Sequence, residues 1–169
     1  MPEPATTSAS TASASTTAPA GTAPASPAAV VDEFLRLIML PDPVSARRCT
    51  APGLAIRFTG GRAMADPAEC TAFNKGRYQW VKKRIERTET VSAIRVHDVQ
   101  TGAPPAPDDP HEVVVYSIGT LYGAWPDGTP FEGNRYVDRY VVRGGLITHM
   151  EVWNDSAEWL LVRAGLATL

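Results

Sequence analysis

The stretch Gly133–Asp155, GNRYVDRYVVRGGLITHMEVWND, constrains the fold more than any other part of the chain, because it reads as a β-hairpin turning at Gly144-Gly145. A two-residue primed turn needs positive φ at its centre, which glycine supplies without steric cost. Counting outward sets Val142 against Ile147, Tyr140 against His149, Asp138 against Glu151 and Tyr136 against Trp153, and directly opposed residues share a sheet face. One face then collects Asn134, Tyr136, Asp138, Tyr140, His149, Glu151 and Trp153. The other collects Arg135, Val137, Arg139, Val141 and Arg143 with Leu146, Thr148, Met150, Val152 and Asn154. An aromatic-walled surface with two acids and a histidine suits proton transfer, whereas the inner face of a structural strand is more often apolar. A three-residue loop with a bulge would flip the faces of one strand.

The preceding elements give this hairpin something to pack on. Ser26-Pro27 is a cap followed by a proline at the first helical position, and Val30, Val31, Phe34, Leu37, Ile38 and Met39 then recur at helical spacing. Pro41-Asp42-Pro43 ends that helix, a short second one is predicted over 44–49, and Leu54–Phe58 reads as a strand closed by Gly60-Gly61. Asp66-Pro67-Ala68-Glu69 starts a further helix, carried by Cys70, Phe73, Trp80 and Val81. From Thr88 the pattern turns to β: Thr88–Val99, a proline-rich loop over 104–110, and Val113–Tyr122. With Asp127-Gly128 as a turn, Gly119 lies opposite Tyr136 and Ser117 opposite Asp138, leaving room beside the acid for a ligand. A short terminal helix over 156–169 packs Trp159 and Leu160 on the body. The order predicts an α+β domain in which a strongly bent antiparallel sheet wraps around the N-terminal helices.

Composition narrows the functional classes. A net charge of −2 over 169 residues gives no reason to expect a nucleic-acid partner, and the basic run Lys82-Lys83-Arg84, in a helix-like segment, reads as a solvated face. Residues 1–26 are almost entirely Ala, Ser, Thr and Pro and read as a disordered tail, leaving 27–169 as the folded domain. They lack the basic start and apolar run of a secretory signal, and nowhere are there about 18 consecutive apolar residues for a membrane span, so a cytoplasmic location is expected. Cys49 and Cys70 read as buried thiols, and His97, His111 and His149 are too dispersed in sequence to suggest a metal site.

The order of elements, with Asn134-Arg135-Tyr136-Val137 and Glu151-Val152-Trp153-Asn154, resembles the SnoaL-like branch of the nuclear transport factor 2-like superfamily over about residues 27 to 160. The chain departs from that pattern by one residue fewer between Ile147 and Glu151, by Val152 in place of an aromatic and by Asn154 in place of an aspartate. The resemblance implies a cone-shaped, cystatin-like α+β fold with an internal pocket for a small, mostly apolar molecule, and chemistry that needs no cofactor or metal. Its members include ketosteroid isomerases, polyketide cyclases, dehydratases and the phenazine biosynthesis A/B proteins, which places such a chain in secondary metabolism. Asp138 falls where isomerases and cyclases of this group carry a working acid, and Glu151 falls near a functional glutamate of the phenazine proteins. The base that ketosteroid isomerases keep on the first strand has no carboxylate counterpart in Ile56-Arg57-Phe58-Thr59.

The expected catalytic set is therefore Asp138, Glu151 and His149, with Tyr136, Tyr140, Trp153, Asn134 and Ser117 against the substrate. Two carboxylates side by side push one pKa up, so that one acid donates while the other accepts. The structural alternatives are a salt bridge from Asp138 to an arginine such as Arg57, and ordinary core tyrosines. The expected activity is that of a cofactor-independent isomerase, cyclase or dehydratase; a non-catalytic ligand-binding or dimerisation module is the alternative. Val137, Val141, Met150 and Val152 on the outer face suggest a homodimer.

Overall fold

The computed structural model describes residues 25–92 and 112–168. The tail over 1–24, the end of the expected Thr88–Val99 strand, the proline-rich loop, His97 and His111 lie outside the described residues.

Helix α1 (Pro27–Met39) begins as expected: the Ser26 hydroxyl accepts the Ala29 N–H at 3.2 Å and Pro27 follows. Its buried stripe is Val30, Val31, Phe34, Leu35 and Leu37. Helix α2 (Pro43–Ala46) runs into a 3₁₀ turn over Arg47–Cys49, and strands β1 (Thr50–Phe58) and β2 (Arg62–Met64) follow. Helix α3 (Pro67–Lys75) is capped by Asp66, whose carboxylate accepts the Ala68 N–H at 2.7 Å.

Helix α3 stops at Lys75, and Trp80 and Val81 open strand β3 (Trp80–Ser92), which carries the basic run. The helical reading of that run is thereby corrected. Trp80 and Val81 follow Phe73 at seven and eight positions, the spacing of a helical stripe, but Val81, Lys83 and Ile85 equally share one side of a strand. Pairing with strand β4 (Glu112–Ala124) over the whole length of β3 decides between them. Strands β5 (Pro130–Arg143) and β6 (Leu146–Asn154) and helix α4 (Ser156–Arg163) complete the fold.

The six strands form an open sheet ordered β2-β1-β6-β5-β4-β3. It is antiparallel except between β1 and β6, which run parallel, so the sheet is mixed. Its inner face meets α1 and α3 around one apolar core that includes Phe34, Leu35, Cys70, Val115, Ile147 and Met150. Phe34 meets the Tyr140 ring edge-on at 5.9 Å. A second cluster of Tyr78, Leu121, Trp125, Phe131 and Tyr136 fills the end beside α4, with Trp159 packed against it while Leu160 stays exposed.

Three single-residue irregularities set which side chains face inward. Gly144 and Gly145 both have positive φ and place Arg143 opposite Leu146 and Val142 opposite Ile147, as counted. Val141 then pairs with His149, leaving Thr148 as an extra residue on β6. Thr148 Oγ1 donates to the Val141 carbonyl at 3.2 Å within this bulge. Beyond it Tyr140 opposes Met150, Asp138 opposes Val152 and Val137 opposes Trp153. The expected pairing of Asp138 with Glu151 is thus corrected: one inserted residue turns every later side chain of the strand to the other face. On β5, Gly133 is likewise unpaired, with φ 88°, and its bulge restores Ser117 opposite Asp138 and Gly119 opposite Tyr136. On β3 the extra residue is Glu86.

Gly119 sits beside that β3 bulge, where a Cβ would run into the Arg84 carbonyl oxygen. Backbone cannot yield as a flexible side chain would, so Gly119→Ala is expected to cost about 1–3 kcal/mol. A denaturant titration with unchanged slope and a lowered midpoint is the expected reading; an unchanged midpoint contradicts the close β3–β4 approach.

Candidate active site

A cavity of about 230 Å³ lies between α1, α3 and the inner face of the sheet. That is below the ~300–1,000 Å³ usual for drug-sized ligands, so it suits a small one. Its walls are mostly apolar, with Phe34, Leu35, Phe58, Leu121, Met150 and Val152 among them, while α3 presents Thr71, Asn74 and Lys75 at one side. Within these walls stands one carboxylate, Asp138.

Asp138 is fully buried. Its Oδ2 accepts the Tyr140 hydroxyl at 2.8 Å and the Lys83 ammonium. Its Oδ1 is also buried and has no hydrogen-bond partner among the described residues. Lys83 comes from the run expected to be solvated, and its ammonium lies 3.8 Å from the centroid of the Tyr136 ring. It reaches Asp138 from two strands away, across the row holding Gly119 and Tyr136, and Gly119 places no side chain in its way. The counter-charge is a lysine; Arg57 donates instead to the Gly61 carbonyl at 3.2 Å.

The other expected site residues divide into three groups. Tyr140 lines the cavity with Asp138. Tyr136, Ser117 and Asn134 are buried on the same sheet face but act behind the wall. Tyr136 and Ser117 join their hydroxyls at 3.0 Å, and the Tyr136 ring lies beneath the Lys83 ammonium. Asn134 donates to Ser156 Oγ at 2.8 Å, and that hydroxyl meets the Tyr78 hydroxyl at 2.5 Å, tying a cavity-lining ring to the start of α4. Glu151, His149 and Trp153 are the third group, and the Thr148 bulge turns all three to the outer face. Glu151 accepts from Arg139 at 2.9 Å, exposed His149 meets the Thr148 hydroxyl, and Trp153 is 50% exposed opposite Val137. Met150 and Val152, expected outside, face in, for the same reason.

Lys83 is the residue that sequence reasoning missed. The available signal was a lone lysine at the middle of Val81-x-Lys83-x-Ile85 on one side of a strand, a pattern legible only once β3 is recognised as a strand. Both cysteines are free and buried as read, and burial pushes the Cys70 thiol up to about 12, which keeps it protonated beside the cavity. Among the described residues no three of His, Cys, Asp and Glu converge as metal ligands would.

Burial first, and then the neighbouring Asp138, hold the Tyr140 phenol well above its ordinary range, and burial pushes Tyr136 up to about 12. Tyr140 therefore stays a hydrogen-bond donor to Asp138 throughout neutral pH. In an alkaline absorbance titration, the difference between wild type and Tyr140→Phe should show no phenolate step near the ordinary tyrosine value of ~10. A step there would contradict the buried Tyr140–Asp138 bond.

No protein-family model matches the chain, and no curated protein matches it. Solved structures do. A nuclear transport factor 2-like protein of unknown function from Burkholderia pseudomallei is 14% identical, with a TM-score of 0.55 over 78% of this chain and 92% of that one. AclR, a putative hydroxylase from Streptomyces galilaeus, is 12% identical, with a TM-score of 0.56 over 84% and 86% of the two chains. A putative polyketide cyclase from Silicibacter is 11% identical, with a TM-score of 0.51 over 83% and 93%. The helices against an open, six-stranded mixed sheet, and these likenesses, establish that the chain has the nuclear transport factor 2-like fold.

Proposed function

We propose that this chain is a cofactor-independent acid–base enzyme of the isomerase, cyclase or dehydratase kind, acting on a small apolar or polyketide-like metabolite. The observation that carries the reading is the placement of Asp138: a fully buried carboxylate in the wall of an otherwise largely apolar cavity, with one oxygen lacking a partner. Asn134 Oδ1 is also buried without a partner among the described residues, but of the two residues only Asp138 lines the cavity; buried unsatisfied oxygens are costly, and a proton acceptor needs a free lone pair. Fold likeness to a putative polyketide cyclase and a putative hydroxylase supports the substrate class by analogy. Tyr140 holds the carboxylate in orientation. Glu151 and His149 take no part in this version of the chemistry, since both face away from the cavity.

One observation favours the second reading, a non-catalytic ligand-binding module. Asp138 is already neutralised by Lys83, and a buried ion pair is a common structural device. The base-promoted ring opening of 5-nitrobenzisoxazole separates the two, because this flat bicycle needs only a positioned base to lose its ring proton. The enzyme reading expects acceleration by the wild-type protein and a loss of about a hundredfold or more in kcat/KM for folded Asp138→Asn. Saturable binding without acceleration supports the module and overturns the enzyme.

The outer face is part of the proposal as the contact of a homodimer. Trp153 and Val137, directly opposed across β5 and β6, are both exposed and border a shallow recess with Ile118. Sedimentation at micromolar concentration should give a dimer that Trp153→Arg converts to a folded monomer. A monomeric wild type would remove this contact from the proposal. Among the described residues no helix is long and apolar enough to cross a membrane.

A further inference from the structure

We propose that Lys83 is the ligand-facing member of the buried pair, and that its ammonium binds a ligand oxygen that carries or develops negative charge. This deepens, and rests on, the acid–base reading of Asp138. It names the substrate class: small apolar molecules bearing an enolisable carbonyl or an acidic hydroxyl.

The geometry assigns the two partners different positions. Both line the cavity, but the Lys83 side chain is 16% exposed and that of Asp138 is 1% exposed. The lysine thus keeps accessible surface that the carboxylate lacks. An ammonium has three donors, and Asp138 Oδ2 is the acceptor that Lys83 uses among the described residues. The Tyr136 ring supports the cation from one side, and the Tyr136 hydroxyl is itself engaged by Ser117. At least one N–H is thus left for a ligand in mostly apolar surroundings, where a charge-assisted hydrogen bond counts for more than in water.

The division of labour follows from chemistry. A proton next to a carbonyl passes to the Asp138 carboxylate. The C–H electron pair becomes the new C=C bond, and the carbonyl π pair moves onto oxygen, where a Lys83 N–H donates to it. A fixed donor aimed at an oxygen as it gains charge lowers the barrier, since it binds the enolate more tightly than the ketone. Where a second C=C extends the enolate, returning the proton to its far carbon regenerates the carboxylate and completes an isomerisation.

Binding of 4-nitrophenol tests the assignment without turnover, because its neutral and ionised forms absorb differently. Asp138→Asn removes the anion that competes for Lys83, and this variant should bind the phenolate about tenfold more tightly than wild type. Adding Lys83→Met to Asp138→Asn should reverse that gain, by about tenfold or more. The double variant is used because Lys83→Met alone strands a buried carboxylate and threatens folding; Lys83→Gln replaces it should the methionine variant not fold. Equal phenolate affinity with and without Lys83 overturns the proposal, as does phenolate affinity unchanged by Asp138→Asn. Charge-dependent binding in a protein that fails to open the benzisoxazole keeps the lysine site and removes only the base.

Discussion

A carboxylate in an apolar core is the constraint around which this molecule is arranged. Moving an unpaired carboxylate out of water costs several kcal/mol even after the protein relaxes, and Asp138 lies among Tyr140, Met150 and Val152 with essentially no exposure. What offsets the cost is a lysine from β3 and a phenol from its own strand, both on one oxygen. The lysine has to cross β4 to arrive. Gly119, in the row between them on β4, carries no side chain, and the Tyr136 ring lies against the ammonium. Charge compensation, strand register and small-residue placement are thus one requirement seen at three scales.

Single-residue bulges decide which side chains meet that requirement. Because side chains alternate along a strand, one extra residue exchanges the inner and outer sets beyond it. Thr148 sends Met150 and Val152 into the core and Glu151 to an ion pair with Arg139 on the outer face. Gly133 keeps Ser117 and Gly119 beside Asp138 and Tyr136. The site holds a carboxylate and an ammonium, where a plain hairpin would have held two carboxylates, and the chemistry available changes accordingly. A pair of acids shares a proton. An acid with a cation separates the tasks of taking a proton and of carrying negative charge.

Much of the fold was legible along the chain because its signals are local. Ser26-Pro27 and Asp66-Pro67 cap their helices through contacts within three residues, and Gly144-Gly145 turns the last hairpin through backbone freedom at two positions. Of the candidate site, Asp138, Tyr140, Tyr136 and Asn134 could be placed on one covered face from alternation along β5, whereas the expected position of Ser117 opposite Asp138 holds because the Gly133 bulge offsets a connection one residue longer than a two-residue turn at Asp127-Gly128. Glu151, His149 and Trp153 could not, because nothing in the letters Thr148-His149-Met150 distinguishes a bulge from regular pairing. Lys83 was hidden by the ambiguity of a basic segment whose apolar residues fit both periods.

By itself, then, the sequence determined most helix starts, the Gly144-Gly145 turn and the presence of an acid between tyrosines on an inward-facing strand. These follow from propensity, capping and alternation, which act over a few residues. Only the tertiary structure decided the acid's partner, because Lys83 and Asp138 are 55 residues apart and meet only when β3, β4 and β5 pair in one register. It also decided which face the end of β6 presents, since a bulge is selected by the apolar burial it makes possible: Met150 and Val152 pack against the core, and two carboxylates are kept from facing one another in a medium that would not solvate them.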